Sequence, residues 1–328
     1  MALPAVLVGW KADDSTRTVI AAALHRHARL AYAAEVVGAA RSAAIAEADA
    51  VLSWNLPKEF SAEELTGFRR ARFLQTVSAG VNQVPFAKLP AALTVASNAG
   101  AYAVPMAEHA VGLMLAAAKC ILDRHNKLVR LEWDQHNPTR QLAGATCAIL
   151  GFGGIGRRIA RIARSLDMRV MALNRSGRAE EPLDFIGTLD DLESVLRTAD
   201  VVMLTIALNR ATRGLLNART LGWMKDDAIL VNVARGDIIV EADLYAHLRA
   251  HPAFTACIDA WWVEPFHAGV FRVDTPLLEL PNLLGSPHNS AQVPGILLDG
   301  AKRAAENVGR FLRGEVPENL VNEGDKLS

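Results

Sequence analysis

Residues 145–176 read ATCAILGFGGIGRRIARIARSLDMRVMALNRS, and this stretch decides the fold of the chain. It begins with an apolar run at 146–150, which is typical of a buried parallel strand. A G-x-G-x-x-G turn follows at 151–156, and apolar residues then recur at helical spacing before a second strand at 169–173. A strand, a glycine turn, a helix and a strand within about thirty residues form a βαβ unit that binds a dinucleotide.

Each glycine of the turn has a predicted role. Gly151 makes the tight turn, Gly153 lets the backbone approach a pyrophosphate, and Gly156 lets the helix pack closely on the strand. The N–H groups that open the helix have no partners within it and suit a phosphate. The alternative, an ordinary glycine turn, does not account for the strands and the helix around it.

The end of the second strand predicts which dinucleotide binds. An NAD site has an acidic residue there, about twenty residues after the glycines, but this chain has Asn174, Arg175 and Ser176. Arg175 can stack on the adenine and fork onto a 2′-phosphate, Ser176 can add a hydroxyl, and Arg178 lies nearby in the sequence. We therefore predict NADP, with NAD as the alternative if Arg175 is only a solvated loop residue.

Length and composition indicate a globular protein of two domains. The chain has 328 residues, 51% hydrophobic and 21% charged, which is enough for two cores. Its 35 basic and 35 acidic residues cancel, so the charge balance favours neither nucleic acid nor an anionic membrane as a partner. The cysteines, Cys120, Cys147 and Cys257, lie far apart in apolar stretches, and we expect buried reduced thiols.

No segment is typical of a membrane or secretory protein. The first ten residues lack the basic start of a signal peptide and read as a strand. The most apolar segment, 101–122, contains Glu108, His109 and Lys119, which makes it a poor membrane span. We expect a cytoplasmic enzyme.

The chain before residue 100 alternates strand and helix patterns. This alternation predicts a small doubly wound domain ahead of the dinucleotide unit. Predicted strands lie at 5–9, 50–54, 73–77 and 93–96, and predicted helices at 15–30, 41–48 and 61–70. Residues 102–120 form a long predicted helix that leads into the second domain, and 289–313 form another that returns to the first. Residues 123–138 resemble a helix that leaves the core, in which Trp133 is either an interface anchor or an ordinary half-buried tryptophan.

Polar side chains follow strands of the second half of the chain. Strand patterns at 228–233, 254–258 and 281–288 end near Arg235, Asp259 and His288, and Glu264 follows Asp259. Reduction of a 2-keto acid needs a cation for the carboxylate, a proton donor for the developing alkoxide, and a group that tunes the donor. Arg, His and a carboxylate beside the His supply these. Singly, each residue also fits a loop salt bridge, a capping acid or a satisfied histidine.

The chain resembles the D-2-hydroxyacid dehydrogenase family over nearly its whole length. The resemblance rests on motifs in the family's order: SAGV at 78–81, AEH at 107–109, GFGGIG at 151–156, VNVARG at 231–236, DAWWVEP at 259–265 and SPH at 286–288. It implies an α/β protein with two doubly wound parallel-sheet domains. One is a Rossmann dinucleotide-binding domain at 100–288, and the other is a flavodoxin-like, discontinuous substrate domain at 1–99 plus 289–328.

The resemblance also implies roles for individual residues. His288 would be the acid/base, Glu264 its partner, and Arg235 the group that holds the substrate carboxylate and carbonyl, with the backbone at Ala79, Gly80 and Val81 sharing the carboxylate. The predicted cofactor contacts are Gly151, Phe152, Gly153, Gly154, Ile155, Gly156, Asn174, Arg175, Ser176, Thr205, Val233, Ala234, Arg235, Asp259 and His288. No metal site is expected.

The expected activity is hydride transfer between NADP(H) and a small 2-keto or D-2-hydroxy acid, such as glyoxylate or hydroxypyruvate, by a homodimer. Asn289 and Ser290 replace the small apolar residues expected after His288, which leaves the pocket wall there open. Asn98 also fits formate dehydrogenase, but that relative has Gln at the position of Glu264. A dinucleotide-sensing corepressor and a protein that has lost its activity are the remaining alternatives. Aromatic residues that could shape the pocket are Trp10, Trp54, Tyr102, Trp261 and Trp262.

Overall fold

The computed structural model describes residues 3–24 and 26–327. Met1, Ala2, His25 and Ser328, which belong to segments interpreted above, lie outside the described residues. The chain divides into two compact units, Met1–Tyr102 with Val293–Ser328 (unit 1) and Ala103–Gln292 (unit 2). The domain boundaries drawn from the sequence stay predictions.

Unit 1 is built on a sheet of parallel strands. Its order is β2-β1-β3-β4-β5, with β1 Ala5–Val8, β2 Arg29–Tyr32, β3 Ala50–Ser53, β4 Phe73–Thr76 and β5 Thr94–Ala96. This is the flavodoxin-like order. Helices cover the sheet, since apolar clusters lie on both of its faces; they begin with α1 Asp14–Leu24, α2 Gly38–Glu47, α3 Leu56–Glu59 and α4 Ala62–Leu65.

The helix predicted at 15–30 is too long. Helix α1 ends at Leu24, and strand β2 follows at Arg29. The Arg29 N–H bonds to the Pro4 carbonyl, which starts the pairing of β2 with β1. Because β2 is an edge strand with no fully buried residue, its sequence lacks the apolar run by which the other strands were found.

Unit 2 is built on a seven-stranded parallel sheet in the order β12-β11-β10-β9-β6-β7-β8. Its strands are β6 Thr146–Leu150, β7 Arg169–Leu173, β8 Phe185–Gly187, β9 Val201–Leu204, β10 Ile229–Asn232, β11 Thr255–Ile258 and β12 Leu283–Gly285. The order reverses between β6 and β9, as in a Rossmann fold. Its helices are α5 Ala103–Ala118, α6 Ile121–Val129, α7 Gly154–Ser165, α8 Leu192–Thr198, α9 Ala218–Leu221, α10 Glu241–Ala250 and α11 Pro265–Ala268.

The last helix, α12 Ile296–Leu312, belongs to unit 1. It packs on the sheet through buried Ala304, Ala305 and Val308, and Phe311 stacks on Phe73 with ring centroids 4.7 Å apart. It begins seven residues later than the predicted helix at 289–313. The two parallel sheets, one in each unit and each accompanied by helices, confirm the predicted α/β fold class of two doubly wound domains.

Within the described ranges, no single helix is long and apolar enough to cross a membrane. Helices α5 and α6 pass that test of length and composition only as a pair, bent by 58°.

The expectation of three buried thiols is wrong for Cys120. Cys147 and Cys257 are buried, and burial raises the pKa of each thiol to about 12. Cys120 is exposed at the break between α5 and α6, where its φ is 50°. The sequence around it is apolar because the helix before it is buried, not because its own side chain is.

Candidate active site

The glycine turn between β6 and α7 has the shape that a bound pyrophosphate requires. Gly151 has a φ of +104°, and a Cβ there would collide with the backbone of Ile206. A Cβ on Gly156 would collide with the Gly151 carbonyl. Gly153 differs, because a Cβ there would meet nothing within 4 Å. Chain packing therefore requires glycine at 151 and 156, whereas Gly153 borders open space that a ligand can enter.

The first turn of α7 offers backbone donors to that space. Gly153 is its N-cap residue and provides no side-chain cap for the twelve-residue helix. The Thr205 hydroxyl donates to the Gly151 carbonyl at 2.6 Å and fixes the turn from the end of β9. These features fit the pyrophosphate of a dinucleotide, held by the backbone of the turn at the positive end of the helix.

The loop after β7 is closed by the side chain of Asn174. Its Oδ1 accepts hydrogen bonds from the Ser176 N–H at 3.1 Å and the Gly177 N–H at 2.8 Å, and its Nδ2 donates to the Arg178 carbonyl. Asn174 therefore shapes the loop, while the side chains of Arg175 and Ser176 are exposed. The residue type that would hold the 2′-hydroxyl of NAD is absent at this strand end.

Glu264 and His288 form a hydrogen-bonded pair. His288 Nδ1 lies 2.7 Å from Glu264 Oε1, which also accepts the Trp261 N–H at 2.7 Å. The carboxylate is buried, whereas 35% of the His288 side chain is exposed. Because a carboxylate only accepts hydrogen bonds, Nδ1 is the donor in this pair. Nε2 is then the ring atom that can accept or donate the proton of a substrate.

The pKa of Glu264 lies below its ordinary value. Burial raises this pKa, but hydrogen bonds from His288 and the Trp261 N–H, with the charges of His288 and Arg235, lower it further than burial raises it. Glu264 is therefore ionised at neutral pH.

Arg235 follows β10 in a turn that Asn232 fixes. The buried Asn232 side chain accepts the Ala234 N–H at 3.0 Å and donates to the Arg235 carbonyl at 2.9 Å. A Cβ on Gly236 would collide with the backbone of Trp261, so glycine is required there. Burial lowers the pKa of the Arg235 guanidinium and the charge of Glu264 raises it, but an arginine stays a cation at neutral pH.

The Asp259 carboxylate accepts hydrogen bonds from the segment that carries His288. It is fully buried and accepts the Asn289 N–H at 3.1 Å and the Ser290 N–H at 3.3 Å. The Ser286 hydroxyl donates to it at 2.6 Å, and His109 Nε2 lies 2.9 Å from that hydroxyl oxygen. These bonds bring together residues that lie far apart in the sequence, and neither Ser286 nor His109 was among the predicted site residues.

Other predicted residues have structural contacts of their own. The Trp261 indole is buried and donates to the Ser286 carbonyl at 2.8 Å, and Trp262 donates to the Ile239 carbonyl at 2.7 Å. In unit 1, Asn98 is buried and donates to the carbonyls of Val77 and Gly300.

The Ser78–Val81 turn follows β4, and its residues are half-buried. The Ser78 hydroxyl donates to the Gly80 carbonyl at 2.9 Å and holds the turn. The predicted contact of Ala79, Gly80 and Val81 with the substrate stays a prediction, as do the assigned cofactor contacts of Val233, Ala234 and Asp259.

Comparison with known proteins identifies the family. Residues 111–290 match the family model for the NAD-binding domain of D-isomer specific 2-hydroxyacid dehydrogenases. A glycerate dehydrogenase of Methylorubrum extorquens is 34% identical over 224 residues, which cover 65% of this chain and 67% of that protein. Other curated relatives are named glyoxylate reductase and hydroxypyruvate reductase. The chain matches about half the length of two further relatives, D-3-phosphoglycerate dehydrogenases, 43% of one and 49% of the other.

Solved structures share the fold over the whole chain. A D-isomer specific 2-hydroxyacid dehydrogenase of Xanthobacter autotrophicus, in complex with NADPH and MES, has a TM-score of 0.82 and 26% identity and covers 98% of each chain. A candidate formate dehydrogenase of Pyrobaculum aerophilum has a TM-score of 0.84 and 27% identity, over 97% of this chain and 98% of that one. The chain belongs to the D-isomer specific 2-hydroxyacid dehydrogenase family and carries its nicotinamide-dinucleotide-binding domain.

Proposed function

We propose that the protein reduces a small 2-keto acid to a D-2-hydroxy acid with NADPH, glyoxylate and hydroxypyruvate being the first candidates. The observation that carries the proposal is the 2.7 Å bond between His288 Nδ1 and the buried, ionised Glu264. In this pair a carboxylate orients the ring of a histidine, a residue type that can donate a proton, in a domain that belongs to a family of 2-hydroxyacid dehydrogenases.

Three residues of unit 2, Arg235, His288 and Glu264, have separate roles in the proposed reaction. When bound, the cofactor supplies the hydride. Arg235 presents a planar fork that fits the substrate carboxylate and polarises the keto oxygen. His288 donates the proton on Nε2 to the oxygen as its negative charge develops, and Glu264 stabilises the imidazolium and holds the ring through Nδ1. In the reverse direction the neutral imidazole accepts the proton of the hydroxyl group.

NADP is proposed over NAD because of the loop after β7. Arg175 and Ser176 are exposed there and no carboxylate faces a 2′-phosphate from position 174. The similar Xanthobacter autotrophicus structure contains NADPH, which supports the proposal without deciding the preference of this chain.

Formate oxidation is the weaker alternative. Removal of a hydride from formate yields CO₂ directly and requires no proton donor for an oxygen. The Glu264–His288 pair would therefore have no acid–base role in formate oxidation. A corepressor-like binding protein would keep the dinucleotide site without turnover. The homodimer and the cytoplasmic location stay predictions.

The test is steady-state reduction of a panel of 2-keto acids with NADPH and NADH. We expect oxidation of NADPH with at least one small unphosphorylated keto acid and a D-configured product. His288→Ala should cost on the order of two to four powers of ten in kcat, while His136→Ala, at an exposed histidine, should not change it. The proposal would be overturned if the wild type reduced none of the keto acids faster than His288→Ala does.

A further inference from the structure

We propose that Ser286, Asp259 and His109 are positioning residues that hold the backbone of the catalytic histidine in its working conformation. The inference rests on the proposed function, because it assigns to His288 the role of proton donor. It concerns a network of hydrogen bonds to the chain segment that carries the imidazole.

His288 has a backbone conformation that an L-residue adopts at a cost. Its φ is 50°, in the left-handed region, and no glycine stands there to relieve the strain. Such a residue persists where its surroundings over-determine it. Here the His288 N–H donates to the Asp259 carbonyl at 2.9 Å, and the two N–H groups that follow it donate to the Asp259 carboxylate.

The Asp259 carboxylate depends on those donors in turn. It is fully buried, and a buried carboxylate is costly unless hydrogen bonds or charges compensate it. Its Oδ1 accepts the Ser286 hydroxyl at 2.6 Å, and His109 Nε2 lies 3.6 Å from the same atom. One carboxylate therefore fixes the chain both before and after His288.

Ser286 links the carboxylate to helix α5. Since its hydroxyl hydrogen is donated to Asp259, its oxygen accepts from His109 Nε2, which must carry a proton. His109 stands on α5 among buried residues of the core, including Ala107, Ala110 and Val111. From the other side, the Trp261 indole donates to the Ser286 carbonyl. Ser286 is thus held by the helix and by the strand end together.

Loss of the Ser286 hydroxyl would remove one donor from Asp259 and one acceptor from His109. The segment could then relax toward an ordinary φ, and the imidazole would move relative to Glu264 Oε1, 2.7 Å away. A shift of the ring impairs proton transfer more than it impairs cofactor binding, because transfer requires hydrogen-bond distance.

A serine away from the site supplies the control for the test. The hydroxyl of Ser194, on the exposed surface of α8, donates to the Asp191 carbonyl at 2.9 Å, so Ser194→Ala also removes one hydroxyl hydrogen bond. Ser286→Ala should lower kcat by about tenfold or more, as expected for a lost bond to a charged group. Ser194→Ala should leave kcat within about twofold, and Ser286→Thr, which retains a hydroxyl, should recover most of the rate.

Two readouts separate positioning from a general loss of structure. The dissociation constant of NADPH, from fluorescence titration, should change by less than about threefold in Ser286→Ala. The decline of reduction at high pH should move to lower pH in Ser286→Ala and not in Ser194→Ala, since the ring loses its geometry with Glu264. His109→Gln, which keeps a donor for Ser286, should have a pH profile closer to that of the wild type than His109→Ala has.

The proposal is overturned if the two serine variants lose kcat equally, or if Ser286→Ala retains the wild-type kcat and pH profile. A wild type that reduces no keto acid would defeat the proposed function instead. In that case proton NMR of the hydrogen-bonded His288 Nδ1–H decides the inference without turnover. The resonance should be lost or shifted in Ser286→Ala and retained in Ser194→Ala, and identical spectra would exclude the positioning role.

Discussion

His288 donates from Nδ1 to Glu264 Oε1 at 2.7 Å while its own backbone is held at a φ of 50°. The partner is a buried carboxylate whose pKa is lowered in part by the charge of the imidazole. The His288 N–H also donates to the Asp259 carbonyl at 2.9 Å. Glu264 therefore fixes the orientation of the ring, while Asp259 contacts the backbone of the same residue.

Glu264→Gln keeps the shape of the side chain and removes its charge. In the proposed reaction, reduction requires a proton on His288 and is therefore expected to decline as the pH rises. Without the carboxylate, the charged ring is disfavoured, so the decline should occur at lower pH. The pH profile of kcat/KM for keto-acid reduction measures this, with Glu279→Gln on an exposed turn as the control. Superimposable profiles of wild type and Glu264→Gln would show that Glu264 does not tune His288.

Arg235→Lys keeps the positive charge and loses the planar fork. A lysine cannot hold a carboxylate and a keto oxygen in the same fixed geometry, so KM should rise and kcat should fall together. The combined loss in kcat/KM should be on the order of 10- to 100-fold, the worth of a hydrogen bond to a charged group. Arg219→Lys, on the exposed surface of α9, is the control. A change confined to the KM of NADPH would assign Arg235 to the cofactor instead.

Arg175→Ala tests the cofactor preference. The wild type should favour NADPH over NADH in kcat/KM, and the variant should lose about one to two powers of ten of that ratio, since a guanidinium bonded to phosphate contributes about 1.5–3 kcal/mol. Arg249→Ala, on the exposed face of α10, should leave the ratio unchanged. Equal use of both cofactors by the wild type would refute the NADP assignment.

The fold was predictable where local chemistry constrains it. The glycines at 151 and 156 are required by backbone contacts, and the buried strands of both sheets are short apolar runs. The strands β2 and β8 were missed because partly exposed edge strands lack that signal. Helix α6 ends at Val129, short of the helical segment expected at 123–138.

The candidate site was predictable only in part, because some of its contacts join residues that are distant in the sequence. Arg235, Glu264 and His288 follow strand ends and form family motifs, so their positions could be read from the sequence. The bond between His109 and Ser286 joins residues 177 apart in the chain and arises from the packing of α5 on the sheet. No local pattern indicates it.

Exposed apolar side chains on and after α6 predict the contact of the expected homodimer. Leu131 is 94% exposed and Trp133 79% exposed, and Ile121, Leu128 and Val129 are exposed nearby. Large apolar side chains that are exposed within one short segment favour a protein interface there. The double variant Leu131→Asp/Trp133→Asp should be monomeric where the wild type is dimeric in sedimentation velocity. Val316→Asp, at an exposed site of unit 1, should stay dimeric. A monomeric wild type would refute the dimer.

His247 on α10 predicts a dependence of stability on pH that is independent of catalysis. Its ring lies against His251 and Phe254, with centroids 4.3 and 4.6 Å away, and its Nε2 is buried without a hydrogen-bond partner among the described residues. Burial lowers the pKa of His247 to about 4, with a further contribution from the charge of His251, while Asp226 raises it.

The sign follows from proton binding. Below pH 6.5 the unfolded chain binds a proton at this histidine and the folded chain does not until the pH approaches 4, so the free energy of unfolding decreases as the pH falls through this window. The decrease from this ring should be about 2 kcal/mol by pH 5. His247→Phe keeps an aromatic ring at this position and removes the titration, so its urea unfolding transition should lose less stability between pH 7 and pH 5 than that of the wild type. His136→Gln, at an exposed site, should follow the wild type. Equal losses in wild type and His247→Phe would show that the buried ring takes up no proton on unfolding.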